Sequence, residues 1–389
     1  MPEPVIIEAV RTAFGRRGGA FRDARPDGLL ACVLKGLVER ARLDPSKVED
    51  VICGTVTQAG EQGANVGRLA VLLCGFPKEV PAVSLNRMCG SSQQAVHFAS
   101  QSVAAGDVRY AIGCGVENMT RVPMLSDIES SGQFRGFGML NPELLSRWEL
   151  VHQGESAERM AQRWGLSRKD LDDYAMESHR KAAAASAAGR NSEIVPAPGR
   201  DDKGNSMVLS RDEGVRENID PSRMAALKAV FRPEGGVVTA GNSSQISDGA
   251  SAVLVADDGA ARADGLKARA RFRARVAIGS DPTLQLDGPI AATRLALKRA
   301  GVSIRDIDWI EINEAFACVV LAWAREIEPD MLRVNPWGGA IAHGHPLGAT
   351  GAALMAKMLA GLEATGGTLG LQTMCIGHGM ATATVIERI

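Results

Sequence analysis

A chain of 389 residues is too long for one ordinary hydrophobic core and calls for two or three domains. With 44 basic against 45 acidic side chains and only 4% aromatic residues, it offers neither the charge nor the stacking surface of a nucleic-acid or membrane-surface binder. The opening MPEPVIIEAVRTAFG holds an apolar run of strand length, not that of a secretory leader, and no run reaches membrane-spanning length, so the expected location is the cytoplasm.

In chain order, residues 5–14 read as a strand, and 27–41 as a helix with Leu29, Leu30, Val33, Leu34, Leu37 and Val38 along one side. A strand at 48–57 and a helix at 65–74 follow. Ala82, Val83 and Leu85 read as the end of a buried strand. From Ser91 onward Ala95, Val96, Ala99, Val103 and Ala104 recur at helical spacing until Gly106. The turn between, Asn86-Arg87-Met88-Cys89-Gly90-Ser91-Ser92, puts a thiol at a helix entrance. The positive end of a helix favours a thiolate there, below the free value of about 8.5. The alternative is a cysteine packed as a small apolar residue. A strand at 108–114 completes an alternation that implies a mostly parallel, helix-covered sheet.

Between Asn118 and Gly241 Pro, Arg, Asp and Glu become frequent, the helix at 171–188 is polar on one side, and 132–138 reads as an irregular loop. This stretch is expected to be an insertion that walls or covers a site. Strand pattern returns at 253–256, and 257–268 reads as a polar connection. The expected division is 1–117 with 242–268 as an N-terminal half, 118–241 as the insertion and 269–389 as a C-terminal half.

The second half repeats the first. Asp27-Gly28-Leu29-Leu30 opens a helix leading to Asp50-Val51-Ile52, and Asp287-Gly288-Pro289-Ile290 opens one leading to Asp308-Trp309-Ile310, an offset of about 260 residues. That offset carries Cys89 onto the Gly344-His345-Pro346-Leu347-Gly348 turn, which opens a helix at 349–363. It also carries Gly113-Cys114-Gly115 close to Cys375-Ile376-Gly377. Halves packed about a pseudo-two-fold axis would bring these turns together, making Cys89, His345 and Cys375 candidates for one site.

The remaining chemistry fits that grouping. Seven cysteines, an odd number without a CxxC pair, make a disulfide framework unexpected. Five sit among aliphatic residues, whereas Cys89 and Cys375 precede glycine-containing turns. His345 can serve as base to a cysteine nucleophile, a second thiol can move a proton to and from carbon, and glycine turns supply N–H groups for an oxyanion. Zinc on His343, His345, Cys375 and His378 is an alternative without support from a carboxylate or a paired CxxC. Gly113-x-Gly115 lacks the full dinucleotide fingerprint. His97, His152 and His179 read as ordinary structural or surface histidines.

Asn86-Arg87-Met88-Cys89-Gly90-Ser91, Asn313-Glu314-Ala315-Phe316, Gly338-Gly339-Ala340-Ile341-Ala342 with Gly344-His345-Pro346, and Cys375-x-Gly377 together resemble the four signature blocks of the thiolases. Thr239-Ala240-Gly241-Asn242-Ser243-Ser244 and Asp248-Gly249-Ala250 resemble their coenzyme A loop. The resemblance implies a five-layered αβαβα fold from two duplicated halves with an inserted loop domain. It also implies reversible, CoA-dependent cleavage of a 3-oxoacyl-CoA to acetyl-CoA and a shortened acyl-CoA. Cys89 would be the acylated nucleophile, His345 its base, and Cys375 the acid and base at carbon. Backbone N–H groups of Cys89 and Gly377 would form one oxyanion hole, and His345 with a water on Asn313 the other. Ser244, Ala315, Phe316, His152, Gln153 and Phe231 would bind the acyl-CoA. The implied partners are 3-oxoacyl-CoA, acetyl-CoA and CoA as co-substrate, with no permanent cofactor or metal, in a homodimer or homotetramer. A biosynthetic acetyl-CoA acetyltransferase and a non-catalytic acyl-CoA-binding subunit are the alternatives.

The chain departs from the family pattern at Ser92, at His378 and Met380-Ala381, at His343 (a position often aliphatic) and at Gln153, which replaces a methionine frequent in acetoacetyl-CoA thiolases. The SSQISDG run and Val319-Val320-Leu321-Ala322-Trp323-Ala324 look more like a bacterial subgroup that includes steroid side-chain thiolases.

Overall fold

The computed structural model describes residues 2–128 and 136–389, so residues 132–135 of the expected irregular loop lie outside the described residues. Two sets of strands form the framework. In the first, Pro4–Thr12, Ser247–Asp257, Tyr110–Asn118, Asp50–Gly54 and Ala82–Leu85 lie side by side in that order. In the second the order is Ala270–Gly279, Met380–Arg388, Leu369–Ile376 and Trp309–Ile312, with Val334 adding a parallel bridge beside Ile310. Each set begins with antiparallel neighbours and ends with parallel ones. The sets join where Val5 and Ile6 pair antiparallel with Arg271 and Ala270.

The duplication extends to an irregularity. Pro4–Thr12 shifts register against its neighbour between Ile6 and Glu8, and Ala270–Gly279 does so between Phe272 and Ala274, 266 residues further on. A bulge in the same place in both copies gives both edges the same local twist.

Strand alternation then builds the layers. Val5, Ile7 and Val10 pack with the outer helix Pro26–Ala41 and with Val66–Leu73, whereas Ile6 and Ala9 face inward. The inner layer is the pair Ser91–Ala105 and Leu347–Thr365, which pack against both sets of strands and each other. On the far side, Gly288–Ala300 and Ala317–Ile327 cover the second set. The result is five layers, helix–sheet–helix–sheet–helix. Residues 347–362 of the inner helix are all buried, which a helix caught between two sheets requires. A Cβ at Gly351 would stand 2.3 Å from the Gln93 backbone nitrogen, so the small residue sets how closely the inner helices approach.

In the C-terminal half, Leu369–Ile376 turns into Met380–Arg388 through three residues, Gly377-His378-Gly379. At the matching place in the N-terminal half the chain leaves after Asn118 and re-enters at Ser247. The excursion contains helices Gln153–Arg163 and Arg168–Ala187 and the strand pair Ala197–Arg200 with Ser206–Leu209. It is tied to the sheet by Ile194–Val195 beside Arg11 and Thr12, and by the buried Arg11, which donates to Glu193 and Asp212.

Four details differ from the sequence reading. The sheet is mixed, with more antiparallel than parallel pairings, because Ser247–Asp257 and Met380–Arg388 run against the strands on both sides of them. The strand Ala82–Leu85 is an outer edge, with Val83 48% exposed, because no further strand among the described residues lies beyond it. Residues 257–268 include a helix, Asp258–Ala263, capped by the Asp257 carboxylate accepting from the Ala260 N–H. The strand Ala270–Gly279 escaped detection because Arg271, Arg273 and Arg275 mask its alternation. Arg271 and Arg273 answer Glu387 on the neighbouring strand.

Candidate active site

The turn before the inner helix is held by its own polar groups. The Asn86 side chain accepts from the Met88 N–H at 2.7 Å and donates to the Val56 carbonyl at 3.0 Å. Ser91 Oγ accepts from the Arg87 N–H and donates to the Met88 carbonyl. Cys89, 5% exposed, follows Met88, whose φ is +45°. A Cβ at Gly90 would lie 2.3 Å from Ile376 Cδ1, so glycine lets this turn seat against the Cys375-Ile376-Gly377 turn of the other half. The Gly377 N–H and the Gln153 amide favour charge on the Cys89 sulfur, and the Cys375 thiol is close enough that a charge on Cys89 raises it.

His345 opens the second inner helix. Its N–H donates to the Gln245 carbonyl at 3.1 Å. Its Nδ1 lies 2.6 Å from Thr350 Oγ1 and its Nε2 3.3 Å from the Asn313 amide nitrogen. With the amide donating to Nε2, the ring proton sits on Nδ1, leaving Nε2 as the basic atom. Burial lowers His345 to about 4, so the ring is neutral at pH 7. Asn313 Oδ1 is buried with no partner among the described residues.

Electrostatics corrects the expectation for Cys89. Burial pushes its thiol up to about 12, against the pull of the Cys89 and Gly377 N–H groups, and also raises Cys375 well above the ordinary value. Desolvation outweighs the helix end, so both sulfurs are thiols at neutral pH and need a base. The rate of Cys89 alkylation by iodoacetamide in the free protein is therefore expected to climb about tenfold per pH unit from 7 to 9. A plateau near pH 7 would show a preformed thiolate.

A cavity of about 340 Å³ opens onto this group. Cys89, His345, Gly377, Ser244, Ala315, Phe316, His152, Gln153 and Phe231 all line it. Asn313 and Cys375 lie behind the surface, Asn313 on the His345 ring and Cys375 beside Cys89. One wall is threaded together by backbone, Ser244 N–H to the Ala315 carbonyl and Ala317 N–H to the Asn242 carbonyl, both 2.9 Å. The rings of His152 and Phe231 stack at 5.1 Å, and Phe231 meets Phe316 edge-on at 6.2 Å. Another wall is apolar, with Met88, Met119, Met124, Leu125 and Phe137, and the His378 ring lies edge-on to Phe137 at 5.8 Å. The residues of the zinc alternative have separate engagements: His343 meets Lys357, His345 meets Asn313 and Thr350, and His378 meets Phe137.

Sequence reasoning missed several residues that build the site. Glu117 accepts from the N–H groups of Val56, Thr57 and Gly348 and from the Gln62 amide, at 2.7–3.1 Å. It thereby fastens the N-terminal half to the start of the helix behind His345. A carboxylate in the otherwise apolar run Tyr110–Asn118 was the available signal. Glu314 accepts from Tyr174, Ser178, Asn335 and the Ile341 N–H, joining the insertion to the C-terminal half. Gln245 donates to the Gly214, Ile341 and Ala342 carbonyls, and Gln285 Oε1 accepts from the His378 N–H.

Two α/β halves that bring a thiol pair, a neutral imidazole and aimed backbone N–H groups to one apolar cavity define an acyl-transferring enzyme. The chain belongs to the thiolase family: the thiolase N-terminal domain matches residues 4–259 and the thiolase C-terminal domain residues 266–388. A steroid 3-ketoacyl-CoA thiolase of Mycobacterium tuberculosis is 45% identical over all of this chain and 95% of its own length. A beta-ketoadipyl-CoA thiolase of Acinetobacter baylyi is 41% identical over the whole of both chains. The crystal structure of the Bacillus anthracis acetyl-CoA acetyltransferase superposes with a TM-score of 0.91 at 32% identity, covering 100% of this chain and 99% of that one.

Proposed function

We propose that this enzyme catalyses degradative thiolysis of 3-oxoacyl-CoA, and that Cys89, His345 and Cys375 carry the reaction. The observation that carries this reading is the gathering of Cys89, His345 and Gly377 on the lining of one cavity, with the Cys375 thiol near enough that a charge on Cys89 raises it. His345 Nε2 takes the Cys89 proton as the sulfur attacks the 3-oxo carbon. The C2–C3 bond then breaks, its electron pair passing to the acetyl-CoA enolate, and the Cys375 thiol protonates C2. Acetyl-CoA departs and the shortened acyl group stays on Cys89. Cys375, now a thiolate, takes the proton of incoming CoA, whose sulfur attacks the thioester. Cys89 leaves and recovers its proton from His345. The Cys89 and Gly377 N–H groups would hold the thioester oxyanion. CoA is a co-substrate, and no step calls for a resident cofactor.

The methionine-bearing wall favours an extended apolar acyl group over the two-carbon unit of an acetyl-CoA acetyltransferase, since thioether side chains adapt to bulky ligands. A series of 3-oxoacyl-CoAs is expected to give rising kcat/KM beyond acetoacetyl-CoA, with acylated Cys89 visible in intact-mass spectra. A sharp acetoacetyl-CoA preference would favour the biosynthetic reading, and binding without acylation the non-catalytic one. His378 takes φ +61°, a conformation that favours glycine. His378→Gly should remove the ring that meets Phe137 and shift the optimum to bulkier acyl groups.

The exposed edge strand Ala82–Leu85, with Leu69, Leu72 and Leu73 exposed on the neighbouring helix, suits pairing with a second copy of the chain. Val83→Lys is expected to reduce the molecular mass measured by light scattering to that of a single chain. Unchanged mass would remove this edge from the assembly. Among the described residues no helix is long and apolar enough to cross a membrane. The cytoplasm is the proposed compartment.

A further inference from the structure

Behind the His345 turn, on the side away from the cavity, lies a charged group that the proposed reaction never touches. Lys357, 1% exposed, projects from the inner helix Leu347–Thr365. Its Nζ lies 3.3 Å from Glu311 Oε2, 2.6 Å from the Gly338 carbonyl and 3.0 Å from His343 Nε2. An ammonium has three N–H bonds and no lone pair, so these three contacts exhaust it. His343 Nε2 must then accept, which places the ring proton on Nδ1. That atom lies 3.3 Å from the Gly344 carbonyl, the oxygen of the peptide bond to His345. Glu311 is occupied as well, its second oxygen accepting from Trp309 Nε1–H at 2.8 Å. Asp212 and Arg11 also act electrostatically on His343, and Phe14 meets its ring edge-on at 5.9 Å.

The peptide so gripped follows a residue whose conformation only glycine readily adopts. Gly344 has φ +108°, and a Cβ there would stand 2.1 Å from Ser247 Oγ. From the opposite side, Gln245 accepts from the His345 N–H through its carbonyl and donates to the Ile341 and Ala342 carbonyls. We propose that Glu311, Lys357 and His343 are positioning residues that fix the plane of the Gly344–His345 peptide and so aim the His345 ring at Cys89. The sequence marks His343 as a departure from the aliphatic residue common at this place, and Lys357 is the partner that departure requires. The inference rests on the reading of His345 as the base.

The test is steady-state thiolysis of acetoacetyl-CoA by the full chain. His343→Leu and Lys357→Met are each expected to lower kcat about tenfold or more, with KM for both substrates unchanged within about twofold, since ring aim affects chemistry and not binding. The double variant should lose no more than the worse single, as members of one unit do. His343→Asn, whose amide can replace the Nδ1–H, should recover most of the rate. If Lys357→Met fails to fold because it strands Glu311, Lys357→Met with Glu311→Gln carries the same expectation. Full kcat in His343→Leu, a change confined to KM, or additive losses would overturn the proposal. Turnover surviving in His345→Ala would defeat the underlying reading instead, whereas an inactive His345→Ala beside a fully active His343→Leu defeats the positioning role alone.

Discussion

Cys89→Ala is expected to lower thiolytic turnover by roughly 10³-fold or more, because among the described residues no other thiol lines the cavity to hold the acyl group. The thiol is poorly ionised on its own, since burial holds it at about 12, so its reactivity depends on His345 taking the proton at the moment of attack. Cys375→Ala should be equally damaging to carbon–carbon cleavage and yet differ in kind. It should still become acylated on Cys89 when given an acyl-CoA, since in that direction Cys375 only hands a proton to the departing CoA sulfur, which can leave as a thiolate, whereas carbon cannot. Stopped-flow acylation and intact-mass measurement separate the two variants. Finding Cys375→Ala unable to accept an acyl group, or Cys89→Ala still turning over, would require the roles to be redrawn.

The second large effect is structural and falls on Glu117. Its carboxylate is the common acceptor for three backbone N–H groups and one amide drawn from both halves of the molecule. Glu117→Leu leaves these buried donors without an acceptor, at about 1–3 kcal/mol for each one that cannot find another. A loss of about 3 kcal/mol or more is expected, read as a lower midpoint in urea unfolding. Glu117→Gln keeps one acceptor oxygen but turns an NH₂ toward the donors, and should lie between Glu117→Leu and the parent chain. Because Gly348 heads the helix that follows His345, kcat should fall in both variants even at temperatures where they remain folded. Unfolding midpoints equal to the parent's would show that the halves are fastened elsewhere.

The residues proposed to react were legible because glycine turns and an approximate repeat survive in the sequence. The offset of about 260 residues maps the Cys89 turn onto the His345 turn in the sequence alone. The five layers followed from the thiolase resemblance, the alternation of strand and helix patterns implying only a helix-covered sheet. What could not be read has a common physical origin: it depends on contacts between residues far apart in the chain. The charge on Glu117 looked misplaced in an apolar strand until its donors from 56, 57, 62 and 348 were brought around it. Lys357 likewise sits in a helix buried nearly throughout, and only the folded 338–344 segment supplies its partners. Cys89 failed in the other direction. A helix entrance is visible in sequence, but the depth of burial that cancels its benefit is not.

The unequal links between corresponding strands, three residues in one copy and a long excursion in the other, divide the labour of the molecule. The sulfur and the imidazole ride at the heads of the two central helices, whose spacing a glycine contact sets. Met119, Met124, Leu125, His152 and Phe231 belong to the excursion and shape the room for the acyl group. Selection on that appendage can therefore retune which carbon skeletons enter while the distance between the Cys89 sulfur and the His345 ring is left untouched.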